Sequence, residues 1–261
     1  MSWIVPVLVL VVWQVAVQLG WLSTRILPSP WEVLLAGYDK AVKSGEVVHL
    51  WIWDVWIGEL WIHLGASFGR AAVGFVIGGS VGFFFGLING AYKLAEDLFD
   101  TTLQMVRNVP HLALIPLVIL WFGIDEGGKV FLVALGVFFP IYLNTYHGIR
   151  AVSPELIEMG RSYGLNDWGL FRQVILPGAL PNILVGVRYA LGFTWLTLIV
   201  AETIAAPSGI GYMAMNAREF LQTDVVVLTI LLYALLGKAA DVAARLLERR
   251  WLRWNNNFLA A

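Results

Sequence analysis

Cysteine is absent from all 261 positions, which removes disulfides, thiolate nucleophiles and cysteine-bound metal from anything the chain does. Charge is scarce as well. Asp, Glu, Lys and Arg supply 13% of the residues, whereas a soluble domain carries about a quarter. The net charge is -1, so there is no basic footprint for nucleic acid. No H-E-x-x-H zinc motif occurs, and no G-x-x-x-x-G-K-[ST] phosphate loop. Gly237-Lys238 is the nearest fragment of the latter, but Leu232 and Ala239 stand where Gly and Ser or Thr are required. The chain therefore does not hydrolyse ATP by the phosphate-loop route.

What is present is apolar. Hydrophobic residues make up 59% of the sequence, and there are 13 tryptophans, a residue that favours the membrane–water boundary. The class is a polytopic membrane protein. Six apolar segments, Ile4–Trp21, Ala71–Ile88, Val109–Phe122, Val130–Tyr146, Ile183–Ile204 and Val225–Ala240, approach the length that about 30 Å of hydrocarbon requires. The start, Met1-Ser2-Trp3, lacks a positive stretch, so the first segment is expected to be an uncleaved span. Pro110 and Pro116 interrupt the third segment. A broken span is tolerated only against protein or a water-filled cavity, so this one is either part of a pathway or a packing kink.

With the loop around Glu158 placed inside the cell, Lys93, Arg150, Arg161, Arg172, Arg245, Arg249, Arg250 and Arg253 are cytoplasmic. Arg25, Lys40, Lys43, Lys129 and Arg218 then lie outside, and six spans put both termini inside. Residues 22–64 form the largest external loop. Trp51, Trp53, Trp56 and Trp61 stand there among Ile, Val and Leu, which favours a helix lying in the outer interface over an extension of the second span. Gly45-Glu46-Val47-Val48-His49-Leu50 is echoed by Gly58-Glu59-Leu60-Trp61-Ile62-His63-Leu64, as in a small local duplication.

Gly74, Gly78, Gly82, Gly86 and Gly90 recur every four residues through the second segment. Residues four apart share a helix face, and glycines there form a groove that lets another helix approach backbone to backbone, within the subunit or between two subunits. Gly78-Gly79-Ser80-Val81-Gly82 also fits G-x-S-x-G. That motif needs a strand-to-helix turn, so an intramembrane hydrolase is a remote reading. His49, His63, His111 and His147 fall near span ends, where histidine is more often interfacial than liganding.

Glu158-Met159-Gly160-Arg161-Ser162-Tyr163-Gly164, nine residues, then Val174-Ile175-Leu176-Pro177 form a polar loop with fixed glycine and proline punctuation. Leu165, Trp168 and Phe171, spaced by three and flanked by Leu170, Asn166, Asp167 and Arg172, make the apolar edge of a short amphipathic helix suited to a partner's groove. Gly164 permits a turn other residues resist, and Pro177 is expected to stop the helix.

This spacing resembles the "EAA" loop of ABC importer permeases, with Met159-Gly160 in place of the usual Ala-Ala and Val174 in place of Ile. The resemblance extends to Met105–Asp125, Phe139–Arg150, Ala201-Glu202-Thr203, Ser208–Asp224 and Leu235–Asp241, and covers roughly 67–255. It is closest to the aliphatic sulfonate permeases of the sulfonate/taurine/nitrate branch. It implies one all-α domain over 1–261 with six membrane helices of the type I importer kind, in the bacterial inner membrane. It implies a homodimer, two ATPase subunits that bind ATP and Mg, an extracytoplasmic substrate-binding protein, and no cofactor on this chain. Residues 148–181 become the coupling loop, with Glu158, Gly160, Gly164, Leu165, Asp167, Trp168, Phe171, Leu176 and Pro177 at its centre. The expected activity is sulfonate import by alternating access. The same machine for taurine, nitrate or bicarbonate is the alternative, and a stand-alone channel is remote. Arg107, Arg188 and Glu202, beside Pro110 and Pro116, are pathway candidates. The arginines equally suit ion pairs with Glu202 or Asp241, and Lys238 is expected to pair with Asp241.

Overall fold

The computed structural model describes residues 4–24, 26–50 and 53–254, so Arg25 and Trp51 fall outside the described residues. Its helices are α1 (Ile4–Gln18), α2 (Pro30–Tyr38), α3 (Glu59–Ala91), α4 (Lys93–Arg107), α5 (Ile115–Phe122) and α6 (Glu126–Arg150), followed by α7 (Pro154–Ser162), α8 (Asp167–Leu170), α9 (Leu176–Ala205), α10 (Ile210–Glu219) and α11 (Thr223–Trp251). Strands β1 (Gly45–Leu50) and β2 (Trp53–Gly58) stand between α2 and α3.

Among the described residues, four helical stretches are long and apolar enough to cross a membrane: α3, α6, the 38-residue run Asp167–Ile204, and α11. A fifth arises if α4 and the helical segment His111–Phe122, bent by 79°, count as one broken span. The bend follows from the prolines. Pro110 precedes a single 3-10 turn, His111–Leu114, and Pro116 occupies the first turn of α5, where a missing N–H costs nothing. The first apolar segment gives only 15 helical residues among those described, about 22 Å at 1.5 Å per residue.

The tryptophan-rich stretch corrects the expectation of an interfacial helix. It is an antiparallel hairpin in which Gly45 faces Gly58 and Leu50 faces Trp53. Valine and tryptophan suit a pleated surface better than a helix. The two echoed segments thus differ in structure, one being β1 and the other the start of α3.

The chain divides into two compact units, residues 1–69 with 199–235, and residues 70–198 with 236–261. In the first, α2 opens on a capping box: the Ser29 hydroxyl accepts from the Glu32 N–H at 3.2 Å, and the Glu32 carboxylate accepts from the Ser29 N–H at 2.7 Å. Ala36 of α2 then packs with Leu60, Met213, Ala217 and Val225. In the second unit the core joins Ala71, Val133, Val137, Ile141, Ala190 and Leu198. Here the five spaced glycines of α3 face α6. A Cβ at Gly78 would collide with the Ala134 carbonyl, one at Gly82 would meet the Phe138 oxygen at 2.5 Å, and one at Gly86 the Tyr142 oxygen at 2.6 Å. Gly74 and Gly90 lie against Val133 and Ile149. The seam is therefore within the subunit, backbone against backbone.

Candidate functional site

Two features of the second unit draw together the residues singled out in sequence. One is the segment from α7 to the start of α9. The end of α6 is fixed by Glu96 of α4, whose carboxylate accepts from the Tyr146 hydroxyl and the Arg150 guanidinium. After α7 the chain reverses at Gly164, whose φ of +79° is a left-handed conformation that favours glycine. Asn166 caps α8 by accepting from the Gly169 N–H at 2.8 Å. Ser153 donates its hydroxyl to Glu155, which holds that exposed carboxyl below its ordinary range.

The apolar edge is divided. Trp168 is 67% exposed and stacks on Phe171 at 5.8 Å between ring centroids. Leu165 is half-buried and turns inward with the buried Leu170 onto Gly160. Asp167 and Glu158 are exposed, and among the described residues the Glu158 carboxylate has no ion-pair partner. Pro177 does not stop the helix. A π turn, Phe171–Ile175, runs directly into α9, with Leu176 and Pro177 in its first turn. The widened turn accommodates a residue that cannot donate a backbone bond. Gly160→Ala is expected to be mild, because the new methyl would meet side-chain ends rather than backbone: Leu170 Cδ1 at 2.7 Å, Val174 Cγ2 at 3.3 Å and Leu165 Cδ1 at 3.4 Å. Its cost should stay near about 1 kcal/mol, checked as a thermal shift of the purified protein.

The other feature is a pair of cavities on either side of Tyr189 and Phe193. One, of ≈ 660 Å³, is lined by Arg188, Asp241, Leu196 and Gly192 as well as those two aromatics. The other, of ≈ 320 Å³, is lined by Arg107, His111, Gly136 and Pro140 as well as the same pair. Arg188 takes Asp241 as its partner, at 2.8 Å, and Lys238 approaches the same carboxylate at 3.6 Å. Arg107 is exposed at the end of α4. His111 bonds the buried Thr197 hydroxyl at 3.1 Å.

A family model described as "Binding-protein-dependent transport system inner membrane component" matches residues 74–253. The chain belongs to that family. This permease is 64% identical over 97% of its length to the "Putative aliphatic sulfonates transport permease protein SsuC" of Escherichia coli K12, covering 91% of that protein. It is 44% identical over 98% of its length to the protein of the same name in Bacillus subtilis, covering 87% of it. Against the "Taurine transport system permease protein TauC" of Escherichia coli the identity is 35%, over 94% of this chain and 86% of that one. Among solved structures, an amino acid ABC transporter superposes with a TM-score of 0.60 at 20% identity, over 72% of this chain and 92% of that one. The inward-facing methionine transporter MetNI gives 0.52 at 21%, over 72% and 93%. At such identities these two speak for the fold alone, and that fold is the type I importer permease. The permease is a transport subunit rather than an enzyme, and its family works with an ATPase and a substrate-binding protein.

Glu202 belongs to the first unit of the permease and is 1% exposed. It accepts from the Ser67 hydroxyl at 2.8 Å, the Gly211 N–H at 2.9 Å and the Tyr233 hydroxyl at 3.2 Å. Ser67 in turn accepts from the Ile210 N–H at 2.9 Å, and His63 Nδ1 accepts from the Gly209 N–H at 3.1 Å. His63 is thus buried structure rather than an interfacial side chain. Ser67, which lies 135 positions from its partner, and Tyr233 have no signal in sequence, and Gly209 and Gly211 stand only within the resembling stretch Ser208–Asp224.

Proposed function

We propose that this permease forms the translocation pathway for aliphatic sulfonates, as one half of a homodimer with both termini in the cytoplasm. The 64% identity to a permease named for aliphatic sulfonates, against 35% to one named for taurine, carries the reading. ATP and Mg bind to the partner ATPase, and this chain binds no cofactor. Closure of two ATPase subunits presses on residues 148–181 and opens the pathway outward, and hydrolysis resets it. Each partner drives the cycle through its different affinity for the two states. The exposed Trp168, stacked on the half-buried Phe171, supports the ATPase contact, because aromatic residues are enriched at interfaces.

The test is ATPase stimulation in a reconstituted complex with its binding protein, scanned over alkanesulfonates, taurine, nitrate and bicarbonate. Alkanesulfonates are expected to stimulate most strongly, and silence towards every one of them defeats the reading. Gly164→Trp is expected to abolish co-purification with the ATPase while the permease still inserts. Nothing lies within 4 Å of a Cβ at that position, so the indole would project into the space the partner occupies. Its left-handed φ adds roughly 1–2 kcal/mol of local strain. Normal co-purification would remove this loop from the contact.

A further inference from the structure

Resting on the sulfonate reading above, the geometry points to Arg188 as the residue that takes the anionic head of the substrate within the permease, with Asp241 as its partner when no substrate is bound. Arg188 lies well inside α9, away from both ends. Charges at membrane depth are costly and usually face protein or a water-filled route. Three cations converge here on a single carboxylate. Arg188 donates from Nε at 3.0 Å and approaches from Nη2 at 2.8 Å, both to Asp241 Oδ1. Arg245 donates to Oδ2 at 2.6 and 3.0 Å, and Lys238 stands 3.6 Å from the same Oδ2.

The division between the two oxygens matters. Arg188 can leave Oδ1 while Oδ2 stays neutralised by Arg245, so releasing the guanidinium does not strand a bare carboxylate. A guanidinium fork matches the oxygens of an oxyanion as well as it matches a carboxylate. The cavity that Arg188 and Asp241 line, of ≈ 660 Å³, is otherwise walled by Tyr189, Phe193 and Leu196. It offers a cationic end and an apolar wall, the two surfaces that a sulfonate head on an alkyl chain presents. Gly192 and Gly237 border it too, and a Cβ on either would meet nothing within 4 Å. The space is open at two points where a side chain would narrow it.

Two readings of the Arg188–Asp241 pair must be separated: a structural tie, and a site that exchanges its own carboxylate for substrate. The experiment is uptake of a labelled alkanesulfonate into proteoliposomes holding the full complex of permease, ATPase and binding protein. Arg188→Gln, Asp241→Asn, the double variant and Arg188→Lys are compared at equal assembled complex. Arg188→Gln is expected to lower uptake at least tenfold while ATP hydrolysis still responds to loaded binding protein. Asp241→Asn should stay within about threefold of wild type, because Arg188 remains. The double variant removes both members of the pair and leaves Arg245 and Lys238, whose side chains are 46% and 61% exposed, to solvent, and it should be as deficient as Arg188→Gln. Arg188→Lys should fall between. A double variant that transports like wild type shows the pair to be only a structural tie and overturns the inference. If Arg188→Gln does not assemble, the double variant alone decides by the same criterion. A wild-type complex that moves no alkanesulfonate defeats the sulfonate reading instead, and uptake of whichever anion it does move, in the same four variants, then decides the role of Arg188.

Discussion

Gly78→Val is expected to reduce folded, membrane-inserted permease to less than a tenth of the wild-type level. The reason is the kind of atom that stands opposite. A Cβ at residue 78 would fall on the Ala134 carbonyl, with Ala134 Cα at 2.7 Å, and both belong to the backbone of α6. A backbone cannot rotate aside as a side chain does, so α3 and α6 would have to separate. The displaced length is large, because the same two helices touch in the same manner at Gly82 and Gly86. Overpacking an ordinary core costs about 1–3 kcal/mol, and here there is no rotamer through which to relax. Gly79→Ala is the control. Its new methyl would meet Ile141 Cδ1 at 3.1 Å, the free end of a flexible side chain, and it should be close to neutral. Monodisperse yield after extraction and the unfolding temperature check both variants. Equal yields for the two would sink the account of the seam.

That seam is legible in the sequence because helix periodicity converts spacing into a face. Gly74 to Gly90 needed only the rule that residues four apart align. The turn at Gly164 and the stack of Trp168 on Phe171 are legible for a related reason, since these residues are neighbours in sequence. Local signals also mislead. Tryptophan and valine around β1 and β2 suit a pleated ribbon, but tryptophan also marks the membrane interface, and short apolar stretches carry no period that separates ribbon from helix. Proline lacks an N–H and so signals a stop at Pro177, but the π turn Phe171–Ile175 just before it lets the helix run on past a residue that cannot donate. Arg188 could be placed at membrane depth from sequence, but its choice of Asp241 needed α9 and α11 side by side. Glu202 stands out in sequence as a pathway candidate, while the donors that hold it come from α3, the start of α10 and α11, and no spacing rule links them.

The largest effect in the first unit is expected at Gly209→Ala. Gly209 has φ +119° and ψ 167°, a region that is essentially restricted to glycine and costs about 1–3 kcal/mol for other residues. Its Cβ would also fall onto the Glu202 carboxylate, so the strain cannot be relieved without displacing a buried charge from its donors. That carboxylate receives Ser67, Gly211 and Tyr233 at once, and leaving a buried polar group without its partners costs about 1–3 kcal/mol, more for a charged one. The two penalties share one cause and do not simply add, but either is a large share of a marginal total stability. Glu202→Gln and Ser67→Ala attack the same cluster more gently. The amide at 202 keeps one acceptor and presents donors towards other donors, and the lost hydroxyl at 67 leaves the Ile210 N–H without its acceptor. Each should cost about 1–3 kcal/mol. The expected order of unfolding temperature is therefore wild type, then the two single-group changes, then Gly209→Ala lowest. Gly237→Ala, where a Cβ meets nothing within 4 Å, supplies the helix-interior glycine control. Should Gly209→Ala unfold with the control, the carboxylate does not depend on the tight approach of that turn.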